Sequence, residues 1–162
     1  MKPSSVIRQR LDQAEQDARI ALADRYVREL PGLLLNLDQL HDLAAAIRRA
    51  VVRYTPDVDT GNAIIAGIRA GIETGGLLDE GFADLPVDTE AERRGAAILK
   101  EYSDVLISAA QAKRLLAAAV DVFAANGADP AVLKAVRRDL DDELKKHGID
   151  PDPPDGAAGT ME

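Results

Sequence analysis

Apolar residues recur every three or four positions along most of the chain, which is the spacing of an amphipathic α-helix. The first such stripe predicts a helix that begins after a capping residue, Ser4 or Ser5, and runs to about Leu30. Pro31-Gly32 ends this helix, because proline disfavours a helical conformation at the preceding residue and glycine favours a turn. The stripe consists of Ile7, Leu11, Ala14, Ala18, Leu22, Tyr26 and Leu30.

A second stripe steps alternately by four and three residues and predicts a helix over residues 33–54, which Thr55-Pro56 closes. This spacing is a heptad seam, and its members are Leu33, Leu37, Leu40, Ala44, Ile47, Val51 and Tyr54. A third helix is predicted over residues 59–74. Its glycines four residues apart, Gly67 and Gly71, predict that another helix approaches it closely.

The fourth predicted helix begins at a capping box, Thr89 to Glu92, and runs without a break to Ala125. A second heptad seam follows it: Ile98, Tyr102, Val105, Ala109, Ala112, Leu116, Ala119 and Phe123. The pattern therefore predicts a central rod over residues 90–125, roughly 50 Å long. A fifth helix begins at Asp129-Pro130 and ends at Gly148.

Together these elements predict an all-α fold, with about five helices in a bundle around the long central helix. We expect one domain over residues 1–148 and a flexible, acidic, proline-rich tail over residues 149–162. We expect no internal repeat and no second domain. Residues 75–88 read as an acidic loop that nevertheless contains Leu77, Leu78, Phe82 and Leu85.

The amino-acid composition excludes several kinds of functional site. The 162 residues are 46% hydrophobic but only 3% aromatic, which suits closely packed helices. The absence of cysteine excludes disulfides, thiolate metal sites and cysteine nucleophiles. The net charge is −8, yet the acids concentrate in residues 73–92 and 149–162, which leaves the remainder mildly basic. Without a signal-peptide pattern or a long apolar run, we expect no membrane partner and a cytoplasmic location, or a virion or host cytoplasm for a viral protein.

Candidate metal and catalytic groups are incomplete in the sequence. Asp38 with His41 and Glu143 with His147 each share a helix face, but a di-iron bundle needs two Glu-x-x-His sets and two further carboxylates. The pairs Asp12-x-x-Glu15 and Asp139-x-x-Asp142 are similar to the Mg²⁺-binding acid pairs of all-α nucleotide pyrophosphatases, although those enzymes carry a denser set. We therefore expect no cofactor and assign no catalytic or metal-binding residue. A metal-dependent all-α hydrolase stays as an alternative.

Nucleic-acid binding is the other alternative. Residues 113–147 are predicted as helix, short turn and helix, an order that resembles a helix-turn-helix. The second of these helices, however, carries Asp139, Asp141, Asp142 and Glu143 among its basic residues, and acids are unfavourable beside phosphates. A nucleic-acid-binding regulator is thus the weaker hypothesis.

Two heptad seams and a long rod exceed what a compact bundle of this size needs. The sequence therefore predicts a non-enzymatic helical interaction or assembly protein, such as an oligomeric adaptor or scaffold, that acts through coiled-coil-like helix surfaces. Its expected partner is protein, either a second copy or a different chain. The candidate interaction residues are Leu77, Leu78, Phe82, Leu85, Tyr102, Leu116 and Phe123.

Overall fold

The all-α prediction is confirmed by a computed structural model, which describes residues 3–74 and 89–151 and, in the first helix, side chains from residue 9 onward. These residues form six helices and two very short strands. In chain order the elements are α1 (Pro3–Glu29), β1 (Leu34–Asn36), α2 (Leu37–Tyr54), α3 (Val58–Thr74), α4 (Glu90–Tyr102), β2 (Leu106–Ser108), α5 (Ala109–Ala125) and α6 (Pro130–Lys146).

The predicted rod over residues 90–125 is wrong, because strand β2 divides it into α4 and α5. Ser108 has extended backbone angles and caps α5: its hydroxyl accepts the Gln111 amide, while the Gln111 side chain accepts the Ser108 amide. This reciprocal pair satisfies two amides that a helix terminus leaves open. Both residues are buried, so a continuous helix would lose these bonds in the core. Asn36 and Gln39 start α2 in the same way, and α2 therefore begins four residues later than predicted.

The two strands pair with each other in antiparallel register, Leu34 opposite Ser108, Leu35 opposite Ile107 and Asn36 opposite Leu106. Successive side chains of a strand point to opposite faces. Leu35 and Ile107 belong to the larger core cluster, whereas Leu34 and Leu106 belong to the smaller one. The ribbon therefore separates two cores.

The expectation of no internal repeat is wrong, because the fold consists of two similar halves. Strand, first helix and second helix of the two halves begin at residues 34, 37 and 58 and at residues 106, 109 and 130, a constant spacing of 72 (from Leu34 to Leu106). Asp57 and Asp129, also 72 apart, both cap the helix that follows. Buried positions correspond as well: Leu43 with Leu115, Val51 with Phe123, Ile64 with Val136 and Ile68 with Leu140.

The larger core lies among α2, α3, α5 and α6. Helix α2 packs on α6, and α5 packs on α3. These two contacts are equivalent, because the repeat relates α2 to α5 and α3 to α6. On the other face of the ribbon, α1 and α4 cover the smaller core, which contains Ala23, Leu34, Leu99 and Leu106. Each half therefore contributes the same elements to both cores, and neither half has a core of its own.

Gly67 confirms the predicted close helix approach. A Cβ atom built at Gly67 on α3 would lie 2.9 Å from Val122 Cγ1 on α5, which is closer than carbon atoms pack. The other end of the chain differs from the prediction, because Ile149 is buried in the larger core rather than part of a flexible tail. The rest of the predicted tail, residues 152–162, lies outside the described residues, as does the predicted loop 75–88. Within the described ranges, no helix combines the length and the apolar character needed to cross a bilayer.

Candidate interaction surface

Helix α1 has apolar residues on two opposite faces. One face packs on the protein itself: Ala23 and Leu30 are buried in the smaller core, with Tyr26 and Val27 partly buried beside them. These positions recur at the three- and four-residue spacing of a single helical face. This inner face occupies only the C-terminal part of α1, from about residue 19 onward.

The opposite face of α1 is apolar and exposed. We call it the α1 outer face and define it as Leu11, Ala14, Ala18 and Ala21. All four residues are exposed, Leu11 to 64% of its surface. Of the side chains at positions 9–18, only Gln16 is half-buried, so this part of α1 projects from the two cores. The stripe that the sequence predicts on the first helix is therefore turned toward solvent over most of its length.

The second repeat provides an internal comparison for this face. Helix α4 corresponds to residues 18–30 of the first half, and its inner positions are equally small and buried: Gly95 occupies the position of Ala23. Its outer positions differ. Exposed Glu90 and Arg93 stand where α1 has Ala18 and Ala21. The fold thus accepts charged residues at these two positions, and packing within the chain does not require alanine there.

Arg19 fixes the point at which α1 leaves the body of the protein. Its guanidinium lies 2.6 Å from Asp104 Oδ1, donates to the Glu101 carbonyl at 2.9 Å, and lies 4.9 Å from the centre of the Tyr102 ring. This hydrogen bond is the largest cause that holds the pKa of Asp104 below its ordinary value and raises the pKa of Arg19. The pair is solvent-exposed, so it orients α1 more than it stabilises the fold.

The interaction residues predicted from the sequence do not form one surface. Leu77, Leu78, Phe82 and Leu85 lie outside the described residues. Leu116 and Phe123 are 3% and 1% exposed, inside the larger core, where no partner can reach them in the folded chain. Tyr102 is half-buried against Tyr26 in an edge-on contact, with ring centroids 5.6 Å apart. The heptad seam of α2 is likewise used inside the chain, since Ile47 and Val51 belong to the larger core.

The acidic pairs considered for metal binding are distributed over separate elements. Asp12 and Glu15 are exposed on α1, whereas Asp139 on α6 accepts the Tyr54 hydroxyl at 2.7 Å. Among the described residues, no three or more acids and histidines form a group that could hold a metal ion. His147 Nε2 lies 3.7 Å from Glu143 Oε1 and 3.8 Å from Asp42 Oδ2, while Arg49 and Lys146 contact the other Glu143 oxygen. This cluster of acidic and basic residues links α2 to the C-terminal end of α6 at the surface of the protein.

The ribbon has the form of a DNA-reading element but not its exposure. Two-stranded antiparallel ribbons can enter the major groove and contact base edges with one face. Here Leu34, Leu106 and Ser108 are at most 1% exposed, since α1 and α4 cover them. The helix pair α5–α6 contains the segment that resembles a helix-turn-helix in sequence. Both helices pack on other parts of the protein, since α6 packs its apolar face on α2 and α5 packs on α3.

Two grooves on the protein are related by the repeat and differ in character. The groove between α2 and α3 is lined mainly by Ala44, Ile47, Ile65, Ile68 and Ile72, with Arg48 and Arg69 at its rim. Its counterpart between α5 and α6 contains Lys113, Asp121, Arg137 and Asp141 beside its leucines. The groove between α2 and α3 is therefore a second apolar surface, and the α1 outer face differs from it in that it projects from the body of the protein.

Compared with protein-family models, with curated proteins and with solved structures, the chain has no match.

Proposed function

We propose that the chain is a non-enzymatic assembly protein that binds another protein chain through the α1 outer face. One observation carries this proposal: α1 is apolar on the face turned away from the body, although its other face already packs on the smaller core. A helix that is apolar on both sides is typical of one that is covered on both sides. Glu90 and Arg93 of α4, which are equivalent to Ala18 and Ala21, support the same conclusion for this end of the face, because they show that the fold does not need apolar residues there.

The size and shape of this face suit a partner helix. Leu11, Ala14, Ala18 and Ala21 step by three, four and three residues, which is a heptad seam. Alanines in such a seam allow a second helix to approach closely. Acidic and basic residues, Arg10, Glu15 and Asp17, flank the seam at positions that set partner choice and orientation in coiled coils. This is an interaction surface of the kind predicted from the sequence, but on a different helix.

The test measures the size of the assembly that contains the full chain in an extract of its native cells. We expect the wild-type chain to migrate as a species larger than the monomer, and the Leu11→Glu variant to migrate as the monomer. A matched control is Val52→Glu, since Val52 is 82% exposed on α2 and lies outside the α1 outer face. Monomeric behaviour of the wild-type chain, or equal behaviour of both variants, would contradict the proposal.

A further inference from the structure

We infer that the occupant of the α1 outer face is a second copy of this chain, whose α1 runs antiparallel to the first. This inference rests on the proposed function and names the partner. The projecting part of α1 extends from Pro3 to Ala18, since Arg19 already contacts Asp104 on the body of the protein. It is about 16 residues long and therefore roughly 24 Å, enough for several layers of a helix pair.

The antiparallel arrangement follows from where the two globular bodies sit. Each body is attached at the C-terminal end of its own α1, through Ala23, Tyr26 and Leu30. Antiparallel helices place the two bodies at opposite ends of the shared segment, whereas parallel helices bring both to the same end. The seam permits an antiparallel pair whose two-fold axis lies between Asp12 and Gln13, because this axis places Leu11 and Ala14 of the two copies opposite each other.

This register is selected by charge. With the axis between residues 12 and 13, Leu11 of one copy packs beside Ala14 of the other, and both lie in the seam. Arg10 and Asp17 occupy equivalent flanking positions one heptad apart, so Arg10 of each copy faces Asp17 of the other. The two-fold axis forms this pair twice. A shift of one heptad would instead place Asp17 against Asp17 and Glu15 against Glu15, which is repulsive.

The first experiment is a charge exchange, with the dissociation constant of the purified full chain measured by sedimentation equilibrium. Arg10→Asp and Asp17→Arg should each weaken dimerisation by about tenfold or more, since each replaces two attractive pairs by repulsive ones. The double variant Arg10→Asp/Asp17→Arg should restore the wild-type constant, because both partners of each pair are exchanged. Asp12→Arg is the matched control: Asp12 is exposed on α1 but points away from the seam, and its change should leave the constant unaltered.

The second experiment tests the direction of the helices. Because the chain has no cysteine, single cysteines report specific proximities. A mixture of Leu11→Cys and Ala14→Cys chains should cross-link with a short bis-maleimide. Ala18→Cys alone should not, since residues 18 of the two copies would lie roughly 16 Å apart along the axis. Efficient cross-linking of Ala18→Cys to itself would overturn the antiparallel arrangement.

A purified chain that stays monomeric up to about 0.5 mM, a concentration that reveals even millimolar affinity, would overturn the second copy as occupant. In that case the proposed function is decided separately, by the size of the assembly in extracts. If the Leu11-dependent larger species persists in extracts while the purified chain is monomeric, the partner is a different protein. If no larger species forms in either setting, both proposals fail together.

Discussion

Leu35 and Ile107 pair with each other at the centre of the two-stranded ribbon, and they also occupy the same position in the two repeats. Two repeat-related residues can lie opposite each other only beside a local two-fold axis. The ribbon is therefore where the two halves meet, and their side chains at this point both enter the larger core. The chain resembles a symmetric dimer joined into one polypeptide.

The central position of Leu35 predicts that its truncation destabilises both halves of the protein together. Leu35 is 0% exposed, so Leu35→Ala should lower the free energy of unfolding by about 3 kcal/mol through lost burial and a residual cavity. Because the core contains residues of both halves, urea unfolding followed by circular dichroism should remain a single transition. The control Val52→Ala changes a residue that is 82% exposed and should alter stability by less than about 0.5 kcal/mol. Two separate transitions would show that the halves fold independently.

Much of the secondary structure could be predicted because it depends on local signals. The capping box at Thr89 and Glu92 and the Asp129-Pro130 start lie where expected. The break before Ser108 was missed because the four-three spacing runs on through Val105 and Ala109 even though the backbone changes from helix to strand. The signal was present: Ser108 with Gln111, like Asn36 with Gln39, matches the same capping pattern as Thr89 with Glu92.

The repeat and the direction in which the α1 stripe points could be recognised only in the structure. The halves match mainly in apolar character, as with Val51 and Phe123, so residue identity does not reveal the repeat. Periodicity shows that Leu11, Ala14 and Ala18 share a face, but it cannot say whether that face points to the core or to solvent. Tertiary packing decides this, through the burial of Ala23 and Leu30 on the other side.

The buried capping box of Ser108 and Gln111 predicts that loss of the Ser108 hydroxyl lowers the stability of the protein. Ser108→Ala removes the hydroxyl that accepts the Gln111 amide at 3.0 Å, and it leaves that amide unpaired at a position only 4% exposed. We expect a loss of about 1–2 kcal/mol in the free energy of unfolding, at the upper end for a cap. Ser103→Ala is a suitable control, because Ser103 is exposed at the end of α4. An equal effect of the two substitutions in urea titrations would show that the cap contributes nothing.

The contact between Gly67 and Val122 predicts that the effect of Gly67→Ala on stability changes sign when Val122 is shortened to alanine. Gly67→Ala alone should destabilise by about 1 kcal/mol, because its Cβ meets the stiff Val122 side chain at 2.9 Å. In the Val122→Ala background the same substitution should stabilise by about 0.5–1 kcal/mol, since alanine is the better helix former and the clash is gone. Thermal unfolding of the four proteins measures both values. A stabilising Gly67→Ala in the wild-type background would mean that α3 and α5 are farther apart.

The ion pair that anchors α1 predicts a specific pH dependence. The hydrogen bond from Arg19 lowers the pKa of Asp104 from its ordinary 3.8, so ionised Asp104 stabilises the folded state at neutral pH. That contribution is present above the unfolded-state pKa and is lost as the pH falls through the lower folded-state value. The stability difference between wild type and Asp104→Asn should therefore be small but measurable at pH 7 in low salt and should vanish in strong acid. Because the pair is exposed, added salt at pH 7 should also reduce it. Urea titrations over a pH series measure the difference directly, and a gap that persists at the lowest pH would mean that Asp104 acts through packing rather than charge.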